Sequence, residues 1–534
     1  MKVAEFLLRT LEAHGVRFIF GNPGTTEIPL VRACEAQRAP KYVVALSEVA
    51  AVPMADGYAR ANRSLGVVNL HVAPGLGNGM GNLYTAGIAG TPLLVLVGGQ
   101  DRRFLHTHPI LWGPLEKMAG AVCKAVYTLN TRYDAAAHVR RALRSALTPP
   151  FAPVALVCPP DLLEQSIEAP VSPVRAPSLG GLDDEQVAQF ARFCTSAKRP
   201  AFVVAEDVHW ANAGAEVEAI ANLLRAPVYV APYTGVLPVS SASGCYAGHL
   251  PPSMKQIAER LEEHDALAFV GGRGFRTTLY SEARLPQRKA WIGHDASVMA
   301  ADGEFDLACV ADPRAALAAL AVEIGARKRT IRSGDRKSVA SEIPAVKSKL
   351  HPTRAIHALL EHFSAALWVD ESGLSTSDVR QQMRLPAGDY LINGSGGIGW
   401  GVAAAVGAAI ARPDQQVVAL IGDGSALYAS EALWTAAHLA SRVVLVVLSN
   451  RRYATLNEAA RRLAGNELAA FTLEPPALDF SGLAQLYAWE YARASTENEL
   501  AAALASMPPR VKRNTLLELV LDPALKPVTA SRHF

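Results

Sequence analysis

Cysteine is scarce and scattered: Cys34, Cys123, Cys158, Cys194, Cys245 and Cys309 are the six in 534 residues, and no two stand at a paired spacing. That argues against a zinc site or a disulfide framework and leaves most of them as small buried apolar residues. An excess of either charge is also lacking. With 52 basic against 49 acidic residues, a net +3, the chain has no surplus for neutralising phosphates, so nucleic acid is not an expected partner. No apolar run is long enough to cross a bilayer. The stretch Met1-Lys2-Val3-Ala4-Glu5-Phe6-Leu7-Leu8-Arg9 breaks its apolar residues with charges, which fits an amphipathic helix and not a signal peptide. A cytoplasmic protein with no membrane partner is therefore expected. Short-period repeats and low-complexity tracts are missing as well.

What is present is length and apolar content: half the residues are hydrophobic (50%), so burying a core is not limiting. Prolines gather at Pro149, Pro150, Pro153, Pro159, Pro160, Pro170, Pro173 and Pro177, although Val154 to Val157 among them reads as a last strand of the first block. A second break carries Arg327, Lys328, Arg329, Arg332, Arg336, Lys337, Lys347 and Lys349 without an apolar period, as a solvated linker does. These breaks predict domains over 1–168, 182–325 and 350–525, with linkers at 169–181 and 326–349. In each block short apolar runs alternate with helical stretches, for instance Gly66 to His71, Leu93 to Val97, Ala201 to Val204 and Ala266 to Val270. The expected fold class is α/β, three doubly wound domains with parallel, helix-covered sheets.

One stretch carries chemistry by its spacing. Gly422-Asp423-Gly424-Ser425 follows the apolar run Val417 to Ile421, and after a helix-like segment a second run, Val443 to Leu448, ends in Ser449-Asn450. Two buried parallel strands flanking one helix bring their ends side by side, so Asp423 and Asn450 face one crevice. A carboxylate and an amide oxygen, with glycines that admit close backbone approach, suit a hard cation that keeps ligand positions for a phosphate group.

Together with Gly21-Asn22-Pro23-Gly24-Thr25-Thr26-Glu27, Glu48, Asn69-Leu70-His71 and Gly75 to Gly81, this stretch resembles the thiamine-diphosphate enzymes, and among them most the benzoylformate decarboxylases. The likeness extends over nearly the whole chain, including Ala55 to Ala59 and Ala432 to Ala437. It implies a pyrimidine-binding first domain, a middle domain and a diphosphate-binding third domain, the first and third sharing a fold. The implied cofactors are thiamine diphosphate and Mg²⁺, the metal being held by Asp423, Asn450 and the carbonyl of Arg452. Glu48, a carboxyl between the apolar runs Val43 to Leu46 and Val49 to Val52, matches the group that bonds the aminopyrimidine ring. Ile398, in Gly394-Ser395-Gly396-Gly397-Ile398-Gly399-Trp400, matches the apolar wedge that folds the cofactor. Gly396, Gly422, Gly424, Ser425 and Tyr428 complete the implied cofactor contacts.

The reaction implied is non-oxidative loss of CO₂ from a 2-oxo acid to leave an aldehyde, with carboligation of aldehydes as a side activity and the cofactor as electron sink. Thr25 and His71 match its hydroxyl and imidazole for proton transfer. The implied substrate pocket comprises Thr25, His71, Ile110, Leu111, Thr278, Trp400, Leu456 and Ala459. Two positions depart from the pattern: Thr278 stands where a second histidine is expected, and Ala459 where a phenylalanine is. His106 or His108 is the candidate replacement imidazole. The departures keep open an acetolactate-synthase-like carboligase or 2-hydroxyacyl lyase, and a more distant alternative is a non-catalytic protein that keeps the cofactor fold. The resemblance also implies a site between two chains, hence at least a homodimer, with homotetramers common.

Overall fold

The structure is a computed structural model that describes residues 1–527 apart from 38, 273, 279–280, 282, 287, 298–304, 327–348 and 525. The second expected linker, and Leu279 and Tyr280 beyond Thr278, therefore lie outside the described residues or nearly so. The strands form three six-stranded sheets, parallel throughout.

The first sheet holds β1 (Phe18–Gly21), β2 (Lys41–Val44), β3 (Gly66–Leu70), β4 (Leu93–Gly98), β5 (Ala125–Thr128) and β6 (Val154–Cys158), in the order β2-β1-β3-β4-β6-β5. The second holds β7 (Pro200–Val204), β8 (Val228–Val230), β9 (Tyr246–His249), β10 (Ala266–Val270), β11 (Lys289–Gly293) and β12 (Leu307–Val310), in the order β12-β11-β10-β7-β8-β9. The third holds β13 (Leu367–Glu371), β14 (Tyr390–Ile392), β15 (Val417–Gly422), β16 (Val443–Ser449), β17 (Glu490–Ala494) and β18 (Thr515–Val520), in the order β14-β13-β15-β16-β18-β17. The first and third sheets thus share one strand order. Every position of β3, β4, β6, β10, β13 and β16 is buried. Helices cover both faces, which is why these strands read as continuous apolar runs without alternation. The last strand expected from Val154 to Val157 sits inside its sheet, between β4 and β5.

The first and third domains dock through two helices that occupy equivalent places in their folds, Glu48–Asn62 and Gly401–Ala411. The crossing is close because glycines occupy it. A Cβ on Gly57 would collide with the carbonyl of Ala404, and one on Gly407 with the carbonyl of Met54. Beside the crossing, Asp56 and Arg60 form an ion pair whose side chains are 0% and 1% exposed. Arg60 Nη1 donates to the carbonyls of Gly235 and Ile392, so this one side chain ties all three domains together.

Trp400 belongs to the same knot, which corrects its placement in the substrate pocket. It is 0% exposed, its indole N–H donates to Asp56 Oδ2 at 2.7 Å, and the Arg60 guanidinium lies 4.6 Å from its ring. An indole with its one donor satisfied and a cation on its face is a docking element here, not a pocket wall.

Candidate active site

In open α/β sheets, ligands settle beyond the carboxyl ends of the strands where the strand order reverses. In the first sheet that point lies between β1 and β3, and the residues that follow these strands converge there. Glu48 opens its helix, which Ser47 caps by accepting the Val49 N–H at 3.1 Å. Glu48 as a whole is 5% exposed. Asn22 donates to Oε1 at 3.3 Å and Asn78 to Oε2 at 3.2 Å, and Gly75 leaves room for it, since a Cβ there would lie 2.9 Å from Oε1.

His71 follows β3. Its Nδ1 stands 2.7 Å from Oε2 of Glu27 and 3.2 Å from the Thr26 hydroxyl, which itself donates to Glu27 Oε1 at 2.7 Å. The Gly24 N–H donates to Glu27 Oε2 as well, at 2.8 Å. With Nδ1–H given to the carboxylate, Nε2 is the ring nitrogen left to exchange a proton. Val72, the next residue, is β-branched, buried and has φ of 41°. Strain of this kind persists only where the surroundings enforce it, as they do beside functional groups.

Thr25, the expected hydroxyl, is exposed in the single chain; the hydroxyl against His71 is that of Thr26. His106 and His108 are both exposed, and His108 stacks on Trp112 with ring centroids 4.8 Å apart. Ile110 and Leu111, on the same loop, are 84% and 42% exposed.

In the third sheet the order reverses between β13 and β15, and Asp423 follows β15. Its Oδ1 accepts the Gly424 N–H at 2.8 Å, and its Oδ2 accepts those of Asn450 at 3.0 Å and Arg451 at 2.6 Å. Arg451 has φ of 60°, the turn that points successive N–H groups at one oxygen. Asn450 Oδ1 accepts the Arg452 N–H at 3.2 Å, and the Arg452 carbonyl accepts that of Ala454 at 2.9 Å. Burial pushes the Asp423 carboxyl up to about 6 despite its three donors. A buried carboxylate that meets only amides, beside an amide oxygen and a carbonyl with lone pairs to spare, fits a hard cation.

Glu371, at the end of β13, was not singled out from sequence. Its Oε1 accepts the Gly399 N–H at 2.6 Å, and its Oε2 accepts those of Trp400, at 3.0 Å, and Gly401. It therefore holds the turn just after Ile398 and satisfies the first N–H groups of the Gly401–Ala411 helix. Burial raises its carboxyl to about 7 against the pull of these donors. The signal was present in the sequence as Asp370-Glu371 closing an apolar run. Glu27 had a signal too, since an acid three residues after a turn-forming Gly24 is a helix-start pattern.

One large cleft runs between the middle and third domains. It is lined by Gly396, Ile398, Gly422, Asp423, Gly424, Ser425, Asn450, Arg452, Leu456 and Ala459, and on the middle-domain side by Thr278. The Thr278 hydroxyl is committed to the Pro252 carbonyl at 3.0 Å. Tyr428 is not in its wall; 56% exposed, it packs where a side chain on Gly399 would otherwise lie. Glu48, His71, Thr25, Ile110 and Leu111 do not line it either. The helix Val72–Ile88 links the two groups: Asn78 reaches Glu48, whereas Thr85 bonds Ser395 beside the Gly-rich turn at 2.9 Å. Seven residues of helix separate these anchor points by about 10 Å.

Comparison with known proteins agrees with this division. Residues 1–117 match the N-terminal TPP-binding domain of thiamine pyrophosphate enzymes, 187–320 the central domain and 371–519 the C-terminal TPP-binding domain. The chain is 32% identical over 510 residues to benzoylformate decarboxylase of Pseudomonas aeruginosa, covering 92% of this chain and 94% of that protein. It is 24% identical over 463 residues to an acetolactate synthase isozyme 1 large subunit of Escherichia coli, covering 84% and 81%. Among solved structures, a thiamine diphosphate-dependent 4-hydroxybenzoylformate decarboxylase of Rhodococcus jostii superposes with a TM-score of 0.85 at 29% identity over 98% of this chain and 99% of that one. Benzoylformate decarboxylase of Polynucleobacter necessarius gives 0.89 at 26% identity, over 99% and 100%. With its three domains matched in order and these relatives aligned over 81% or more of their length, the chain belongs to the thiamine pyrophosphate enzymes.

Proposed function

We propose that this protein is a thiamine-diphosphate- and Mg²⁺-dependent 2-oxo acid decarboxylase that releases an aldehyde and CO₂. The observation that carries the reading is His71 locked by Glu27 at Nδ1, because a protein that merely retained the cofactor fold would have no use for an imidazole oriented to exchange a proton. Asp423, Asn450 and the Arg452 carbonyl would hold the metal, and Glu48 the pyrimidine ring. When bound, thiamine diphosphate supplies the electron sink for the pair left by CO₂. The chain's own share is proton handling and placement. Nε2 of His71 takes or gives the proton while Glu27 keeps the ring in one tautomer, and Glu371 fixes the turn that carries Ile398. The test is CO₂ release from a panel of aryl, branched and short 2-oxo acids, with and without thiamine diphosphate and Mg²⁺, followed by product identification. No release from any member removes this reading.

A second reading, carboligation in the manner of acetolactate synthases, is favoured by one observation: Thr278 cannot take the place of an acid–base histidine, its hydroxyl being held by Pro252. A 2-hydroxyketone as the main product would select it over free aldehyde.

The working unit we infer is at least a dimer in which Glu48 and His71 of one chain complete the Asp423 cleft of another. The separation of the two groups along the Val72–Ile88 helix supports this, as do exposed apolar side chains on the loops that carry them: Leu46 45%, Ile110 84%, Trp112 46%, Ile398 41% and Leu427 41% exposed. Light scattering at working concentration tests it, and a monomeric mass with full activity would contradict it.

A further inference from the structure

The cleft between the middle and third domains has a volume of ≈ 1780 Å³, well above the roughly 300–1,000 Å³ of pockets that enclose one small ligand. Its cationic side chains divide into two groups. Arg276 pairs with Glu206, Arg452 and Arg461 with Glu467, and Lys526 with Glu458. Arg260, Arg380 and Arg384 line the same cleft and have no carboxylate at ion-pair distance among the described residues.

These three guanidinium groups lie within electrostatic reach of one phenol, although Arg260 also donates to the Ala247 carbonyl and Arg384 to that of Met383. Each acts on the Tyr246 phenol and favours its ionised form, although burial outweighs them and raises the group overall. The Tyr246 hydroxyl lies 2.9 Å from Nδ1 of His249, and Nε2 of that ring has no hydrogen-bond partner among the described residues. Burial, then the charge of Arg380, keeps the His249 imidazole neutral. Nε and Nη2 of Arg380 are likewise buried without partners among the described residues. Asp370 is the acid at hand, but its Oδ1 accepts the Ser372 N–H at 2.8 Å and its Oδ2 the Tyr390 hydroxyl at 2.6 Å. Glu259 also lines the cleft and is exposed. A guanidinium withdrawn from water with two unsatisfied nitrogens is costly unless an anion completes it, and its planar fork suits carboxylate or phosphate oxygens.

We propose that Arg380, with Arg260, Arg384, Tyr246 and His249, forms a second anion subsite in this cleft, separate from Asp423 and Asn450, that holds a carboxylate or phosphate group. Two ligands carry that chemistry. One is the distal carboxylate of a dicarboxylic 2-oxo acid, which rests on the decarboxylase reading; the other is a phosphate-bearing small molecule bound beside the cofactor, which does not. Ala459 and Thr278, both short, line the same cleft.

The experiment uses enzyme saturated with thiamine diphosphate and Mg²⁺, so that the diphosphate site is filled. Inorganic phosphate and glutarate are each titrated by calorimetry into the natural protein, Arg380→Gln and Arg260→Gln. At least one anion should bind the natural protein, and each variant should weaken it by about 10-fold, as expected for loss of a charge-assisted pair. Preference for glutarate identifies the substrate's far carboxylate, and preference for phosphate a separate ligand. Absence of binding to the natural protein, or affinity in both variants equal to that of the natural protein, overturns the proposal. If Arg380→Gln does not fold, the exposed Arg260 decides alone. Anion binding without any decarboxylation would leave the subsite standing and remove only the reaction assigned to the cofactor.

Discussion

Oε2 of Glu27 stands 2.7 Å from Nδ1 of His71, and the chain is built around this pair. A Cβ on Gly24 would meet the imidazole, and a Cβ on Gly98, at the end of β4, would meet Oε1 of Glu27. The carboxylate is 2% exposed, so the imidazole has little freedom to leave it.

Glu27→Gln should keep the fold and cofactor affinity while lowering kcat. His71→Ala should cost about 10²–10⁴-fold, the usual share of a positioned proton-transfer group, and Glu27→Gln a part of that. Steady-state rates read beside cofactor binding by fluorescence check it. An equal loss of cofactor affinity would mean the pair serves binding and not turnover.

Gly98→Ala adds one methyl group where Glu27 already lies. Overpacking of this kind costs about 1–3 kcal/mol, so the urea midpoint should fall while Gly99→Ala, whose Cβ would lie 3.3 Å from Pro159, falls less.

Asp423→Asn should fold but lose cofactor-linked stabilisation. At about 100 times its Kd the cofactor would stabilise the natural protein by about 2.7 kcal/mol, visible as a raised melting temperature on adding thiamine diphosphate with Mg²⁺. A variant that gains the same increment would place the metal elsewhere.

Glu371 predicts a pH dependence of the cofactor-free protein. Its carboxyl is raised by burial from 4.5 to about 7, so the folded chain holds this proton more tightly than the unfolded chain. The stability it contributes is complete below about pH 4.5 and declines as pH rises through 7, by up to about 3 kcal/mol. Glu371→Gln should flatten that decline in melting temperature between pH 5 and 7. A slope identical to the natural protein's would show that the carboxyl stays ionised throughout.

Much of the fold is legible in the chain because a parallel strand covered on both faces needs apolar residues at every position. Runs such as Leu93 to Val97 and Val443 to Leu448 therefore mark core strands without ambiguity. Asp423 and Asn450 are legible for the related reason that polar residues closing such runs fall at the carboxyl ends of strands, where crevices form; Glu371 carries the same signal but is not singled out by it. The choice between Thr25 and Thr26 at His71 is not legible, since neighbouring residues differ only by the rotation of one short turn. Trp400 is the plainest case. Nothing local distinguishes a pocket indole from one closing a helix crossing, and the difference lies in Asp56 and Arg60, more than three hundred residues away in sequence.

By itself the sequence determined three parallel α/β units, the residues at their strand ends and membership of a cofactor family, because these follow from local apolar runs and short spacings. Only the tertiary structure decided which of those residues meet. It placed Glu27 behind His71, withdrew Trp400 into the domain contact, held Glu48 apart from the Asp423 cleft and set Arg260, Arg380 and Arg384 within electrostatic reach of Tyr246. Each of these depends on packing between elements distant in the chain, where close approach at a few glycines and the satisfaction of buried polar groups set the geometry.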